Sequence, residues 1–259
     1  MIQSFKNTYF APQMKLFHKP ILSLTLLATL WLPYGCQQKS KKDNSSVMKA
    51  YSEARKAQDY TAASALLLQI AANDSAGSAW VYDSLSLYHF IYLAPTNMVR
   101  NPTTAKYYTE KGLKYNANND FLQEIKAKLL LEEQNDTASF KIFKSLYDKS
   151  GDYTYLWEMT LVELLRRRTG VVDTMVMNVL TSSEADNKTV RIMDQVRQTV
   201  KAKAAFLYIK ATLYNMKGEL KGTAESLQEA LKIEPNFFLA QKGLYELQQN
   251  LSGAGSQNR

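Results

Sequence analysis

Residues Ala204 to Asn236 read AAFLYIKATLYNMKGELKGTAESLQEALKIEPN. Two helix-forming runs meet at Gly218, and Pro235 closes the second. Small Ala211 and Ala230 let two helices approach closely, while large Leu207, Tyr214 and Leu227 fill the space between them. Glycine permits the turn, and proline cannot continue a helix because it lacks the N–H and clashes with the preceding turn. The stretch therefore reads as a helix–turn–helix unit.

It resembles a tetratricopeptide repeat (TPR), a unit of about 34 residues. Counting Ala204 as the first position, Leu207 takes the large fourth, Ala211 the small eighth, Tyr214 the eleventh, and Gly218 the turn. Lys210 and Thr223 stand where the repeat usually has leucine and alanine, and Ala224 takes over part of the packing.

Earlier segments carry more worn copies. YSEARKAQDYTAASALLLQIAANDS (51–75) has Tyr51, Ala54, Ala63, Leu67 and Ile70 at compatible places, with Asp59 and Tyr60 in its turn. AWVYDSLSLYHFIYL (79–93) reads as a first helix and TTAKYYTEKGLKYNANN (103–119) as its second, with Ala105 and Gly112 at small positions. Between them lies a loop bracketed by Pro95 and Pro102. The stretch 121–152 matches through Ala127, Phe143 and Leu146, and 153–184 keeps the rhythm around Gly170. The last helix, FFLAQKGLYELQQNL (237–251), covers the final apolar face, as solenoid ends require. The expected fold is all-α, a TPR-like solenoid over residues 47–251, followed by a disordered tail, 252–259. The resemblance implies a right-handed superhelix.

One segment breaks the rhythm. Thr189 to Ala202, TVRIMDQVRQTVKA, alternates β-branched and polar residues around MDQ, which predicts a short β-hairpin insertion. The alternative is a distorted helix start, since Val196 to Ala211 also reads helically.

The amino terminus addresses a different question. Ile21 to Leu32 is an apolar run of about a dozen residues, too short for a membrane span of roughly 20. With Lys15, His18 and Lys19 before it, the segment has the layout of a secretory signal. Met14 begins a complete signal, so Met1 to Gln13 are read as an upstream start-site artefact. The sequence LPYGC ends at Cys36, the only cysteine of the chain, and resembles a bacterial lipoprotein signal. That resemblance implies cleavage after Gly35 and lipid attachment to Cys36; Pro33 departs from the usual aliphatic residue. An ordinary cleaved signal with an incidental cysteine is the alternative. Residues 1–35 are thus the expected signal and 36–46 a polar tether. Gln37 after the cysteine resembles the outer-membrane sorting class of Gram-negative lipoproteins. Acyl chains contribute about 0.8 kcal/mol per buried methylene, so several would anchor the protein.

Composition narrows the function. The net charge of +8 falls to +5 without Lys6, Lys15 and Lys19, and to +3 without the tether. The one basic run in the remainder, Arg166 to Arg168, sits at an expected helix C-terminus, where cations are favoured. A nucleic-acid partner is not expected, because it would need a basic stripe. No HExxH, GxSxG, GxxxxGK[ST] or GxGxxG spacing is present. A single cysteine with His18 and His89 makes no cysteine-based zinc site. His89 lacks an evident partner for acid–base work, and Glu132–Glu133 lies at a helix end. The expectation is a protein without enzymatic activity, cofactor or metal. Tyr82, Tyr88, Tyr92, Tyr107 and Tyr108 are read as packing residues, with a few exposed as contact aromatics.

In the resembled family the first helices line a concave groove that binds peptides or helices of other proteins. Carried over, positions two, five, nine and twelve nominate Ala79, Tyr82, Ser86 and His89; Phe121, Glu124, Lys128 and Leu131; and Ala205, Tyr208, Thr212 and Asn215. The family's Lys/Asn clamp for a C-terminal carboxylate has no counterpart in Tyr82/Ser86, Glu124/Lys128 or Tyr208/Thr212. The expected function is a lipid-anchored adaptor for envelope proteins or peptides, held at the outer membrane through its lipid anchor. Two alternatives are an outer-membrane protein assembly lipoprotein and a glycan- or small-molecule-binding lipoprotein.

Overall fold

The computed structural model describes residues 44–73, 79–90, 101–193 and 197–256. The signal, Cys36, most of the tether, the loop 91–100 and residues 194–196 of the hairpin turn lie outside the described residues. Among those described there are eleven α-helices: α1 (Ser45–Lys56), α2 (Tyr60–Asn73), α3 (Ala79–Phe90), α4 (Pro102–Tyr115), α5 (Asp120–Glu132), α6 (Asp136–Ser150), α7 (Tyr153–Leu165), α8 (Thr169–Thr181), α9 (Ala202–Met216), α10 (Leu220–Ile233) and α11 (Phe238–Ser256). A short 3-10 turn (Glu184–Asn187) and two strands, β1 (Thr189–Met193) and β2 (Arg197–Lys201), separate α8 from α9. The last helix runs to Ser256, past the Leu251 boundary expected from sequence.

The helices pack as five antiparallel pairs, α1/α2 through α9/α10, with α11 against α10 at the end. Successive pairs meet through α2 with α3, α4 with α5, α6 with α7 and α8 with α9; first helices also touch, α3 with α5 and α7 with α9.

Four of the pairs share one turn. After α1, α5, α7 and α9 the second linking residue, Gln58, Gln134, Arg167 or Gly218, adopts the left-handed conformation, with φ of 57°, 61°, 58° and 77°. The following residue donates its N–H five residues back: Asp59 to Ala54, Asn135 to Leu130, Arg168 to Glu163 and Glu219 to Tyr214, at 2.8–3.0 Å. This closure satisfies carbonyls left over at a helix end. The next helix starts at once. Asp59 accepts from Ala62 N–H at 2.9 Å and Asn135 from Ala138 N–H at 3.2 Å, as N-caps do. In the fourth pair the turn centres on Arg167, not Gly170, which lies inside α8.

The hairpin expected at 189–202 is present. Its strands are antiparallel, with Val190 opposite Val200 and Ile192 opposite Gln198. Because side chains alternate along a strand, Val190, Ile192 and Val200 share a face. All three are buried in a core with Trp157, Leu161, Phe206 and Ile209. That core spans α7 to α11 and is the largest among the described residues. A second core joins α1, α2 and α3 around Tyr51, Leu67, Tyr82 and Leu85.

The hairpin is therefore a strap built into the stack. Arg191 N–H donates to Thr154 Oγ1 in the first turn of α7, at 3.1 Å. From β2, Gln198 Oε1 accepts the Phe238 N–H at the start of α11, at 3.1 Å, and its amide nitrogen donates to the Asn236 carbonyl. The insertion ties the fourth pair to the terminal helix, two units further on. This resolves the marginal stability of a lone two-stranded sheet.

Candidate functional site

The residues nominated for a groove fall into three places. Tyr82 and Ser86 on α3 are buried. Ser86 lies 2.5 Å from Thr109 Oγ1 of α4, a polar tie within the second pair. His89 is half-buried, and burial lowers its pKa, so the imidazole is held neutral. Phe121 is partly buried beside Ile125 and Leu129, and Leu131 beside Phe143 and Leu146. Ala205, Tyr208 and Thr212 on α9 are buried as well, with the Tyr208 ring 5.8 Å from Phe237. Asn215 is half-buried. Most of these side chains hold the fold together and do not line an open surface.

Glu124 and Lys128 belong to a buried ionic cluster. Lys128 is hydrogen-bonded to Glu158 on α7, and its ammonium lies 4.0 Å from Glu124 Oε1. Glu124 is 1% exposed, and burial pushes its carboxyl above the usual carboxylate range, against the pull of Lys128. Arg191 reaches it from the strap, at 3.7 Å, and also meets Asp152 at 3.2 Å. Asp152 in turn caps α7 by accepting the Thr154 N–H at 2.8 Å. Charges taken out of water need partners on this scale, and here three elements supply them.

Two exposed clusters lie elsewhere. The first is on the N-terminal pairs. Met48, Tyr51 and Arg55 share a face of α1, being three and seven residues apart. Trp80 of α3 stands 6.1 Å from the Tyr51 ring, and Arg55 lies over the same ring at 6.0 Å. Met48 and Trp80 are each 40% exposed, whereas Tyr51 is buried and hydrogen-bonded to Tyr88 at 3.1 Å. The patch is a rigid tyrosine base carrying a tryptophan, a methionine and a guanidinium outward.

The second is a ladder of rings between α3 and α4. Tyr82 stacks on Tyr115 (5.5 Å, 13°) and on Tyr108 (6.4 Å, 24°), and Tyr108 stacks on His89 (5.6 Å, 26°). Tyr107 meets Tyr108 edge-on at 5.2 Å. Tyr107 is 54% and Tyr115 49% exposed, so the ladder opens to solvent along α4. The packing role expected for the tyrosines holds for Tyr82 and Tyr88; Tyr107 is a surface residue, and Tyr92 lies outside the described residues. Sequence reasoning passed over Trp80, Arg55 and Tyr115. Trp80 adjoins the nominated Ala79, and an exposed aromatic one place off a family position was the available signal.

No family model and no curated protein matches this sequence. Among solved structures, the chain is similar to a tetratricopeptide repeat protein from Parabacteroides merdae ATCC 43184, with a TM-score of 0.56. The likeness covers 79% of this chain and 72% of that one at 12% sequence identity. At that identity it speaks to the fold alone. Together with the four matching turns and the paired helices, it makes this an all-α, TPR-like stack carrying a small β-hairpin.

Proposed function

We propose that this chain is a lipid-anchored, non-enzymatic scaffold that docks proteins or peptides in a bacterial cell envelope. The observation that carries the reading is the Trp80–Tyr51–Arg55 patch on a TPR-like stack. Tryptophan, tyrosine and arginine dominate the energetics of protein contacts, and the two aromatic residues bury large areas while losing little conformational freedom. Here the ring of Tyr51 is already fixed by its bond to Tyr88, so docking orders few groups. The partner surface shifts accordingly, from the buried positions of α3, α5 and α9 to the outward face of α1 and α3.

The attachment follows from LPYGC and Cys36. Only eight residues, 37–44, lie between Cys36 and α1, and even fully extended they reach no more than about 3 nm, so the N-terminal patch would be held close to the membrane. Partners anchored in the same envelope would meet it at high effective concentration.

Affinity capture of the full chain from its own cells tests both parts. Acyl label on the wild type and none on Cys36→Ser supports the anchor. A reproducible set of envelope proteins, lost with Trp80→Ala/Arg55→Ala, supports the scaffold. Capture unchanged by those substitutions contradicts the assigned surface.

A further inference from the structure

The tyrosine ladder on α4 is a second surface with its own chemistry. Tyr107, Lys111 and Tyr115 recur every four residues and share one face of the helix. Lys111 lies over two rings, 5.6 Å from the Tyr82 centroid and 5.2 Å from that of Tyr107. Its pKa is raised, first by the hydrogen bond to the Tyr107 side chain, so it stays cationic. The other lysine early in the helix, Lys106, is taken up by Glu133 at 2.5 Å. The helix has one acid, Glu110, which is three residues from Tyr107 and borders the ring stripe, with Lys106 and Lys114 each four residues away to offset its charge.

The patch thus combines flat aromatic rings, several phenolic hydroxyls, a neutral imidazole and one ammonium. Among the described residues it is formed by tyrosine, histidine and lysine side chains. A sugar ring suits it. Pyranoses present an apolar C–H face to an aromatic ring and a rim of hydroxyls to donors and acceptors, and tyrosine offers both kinds of contact. The ammonium adds a preference for a carboxylate.

We propose that the Tyr107–Lys111–Tyr115 face binds a uronic-acid-bearing glycan. The sugar stacks on Tyr115 and Tyr107, and its carboxylate pairs with Lys111. This site is separate from the Trp80 patch and does not depend on the scaffold reading.

The test is affinity electrophoresis of the mature chain carrying Cys36→Ser through gels cast with alginate, polygalacturonate, dextran or polyglutamate. The expected result is retardation by a uronate polymer at least tenfold stronger than by dextran or polyglutamate. Tyr107→Ala/Tyr115→Ala should reduce it at least tenfold in a chain that remains helical and folded at the assay temperature by circular dichroism, its melt lowered only by the loss of the Tyr82–Tyr115 and Tyr107–Tyr108 ring contacts. Lys111→Met should lose the uronate preference and Lys111→Arg keep it. No retardation in any polymer, equal retardation in dextran, or undiminished retardation of the tyrosine variant by the uronate polymer would overturn the proposal. Retardation by polyglutamate through the same tyrosines would also overturn it, by identifying an acidic peptide as the occupant.

Discussion

Arg191 on the inserted strand β1 stands 3.7 Å from Glu124 Oε2, linking the strap to the third helix pair across the intervening α7. Burial holds the Glu124 carboxyl above its ordinary range, so the folded state keeps its proton to a higher pH than the unfolded chain does. By linkage, that contribution to stability is fully present below the ordinary carboxylate pKa and is lost as pH rises through the folded value. Arg191 limits the loss by compensating the ionised form.

Arg191→Met should therefore lower stability by about 1–3 kcal/mol at pH 7, toward the lower end because the guanidinium is 45% exposed. The deficit should shrink as pH falls from 7 through the raised range in which the folded Glu124 takes up its proton. Thermal melts across this range check the sign. In a Glu124→Gln background the deficit should depend less on pH over that window, Asp152 remaining as the other carboxylate on Arg191; a deficit that grows with acid in the wild-type background would contradict the assignment.

The strap should behave as core. Ile192→Ala removes a buried side chain and should cost about 2–5 kcal/mol, as for other large-to-small core changes. Gln198→Ala removes the acceptor at the first N–H of α11 and should cost about 1 kcal/mol, the worth of an N-cap. Urea denaturation measures both. If Ile192→Ala leaves the midpoint unchanged, the hairpin is an appendage and not a brace.

Turn residues offer a contrast among equivalent positions. Gly218→Ala places a β-carbon in a left-handed conformation and should cost about 1–2 kcal/mol. Gln134→Gly relieves the same strain in the third pair and should be neutral or stabilising by up to about 1 kcal/mol, the extra unfolded-state freedom of glycine offsetting part of the gain. Opposite signs in matched denaturation curves are the expected outcome. Destabilisation in both would show that the Gln134 side chain, and not its backbone, holds the turn.

Gly112 marks the closest approach of α4 to its neighbours. An added β-carbon would run into the Leu122 side chain and come within 3.0 Å of Tyr82 Cβ. Gly112→Ala should thus cost about 1–3 kcal/mol through overpacking and disturb the Tyr82–Tyr115 stack. A circular dichroism melt superposable on the wild type would contradict this close packing.

The repeat architecture was legible where residue type alone reports backbone need. Gly218 and Pro235 punctuate the last full pair, and β-branched alternation marks β1 and β2. In the other turns the left-handed position is filled by Gln58, Gln134 or Arg167, residues that carry no such signal. There the hydrogen bond to the carbonyl five residues back sets the conformation, and Gly170 drew the turn three residues too far along. The groove positions failed for a related reason. A repeat pattern says which face a residue takes, but not what covers that face. Here Phe237 covers Tyr208, Tyr108 and Tyr115 cover Tyr82, and the strap reaches Glu124. All three coverings depend on long-range packing that no local spacing encodes.

Site-specific photo-crosslinking in intact cells tests the scaffold most directly, with a photoreactive amino acid placed at Trp80 and, in a separate strain, at Tyr245. Tyr245 is 62% exposed and lies on α11, at the other end of the stack. The account predicts a discrete crosslinked envelope protein from position 80 that is absent from position 245 and is lost when Arg55 is changed to Ala. Identical patterns from both positions, or none from position 80, would contradict a docking surface on α1 and α3.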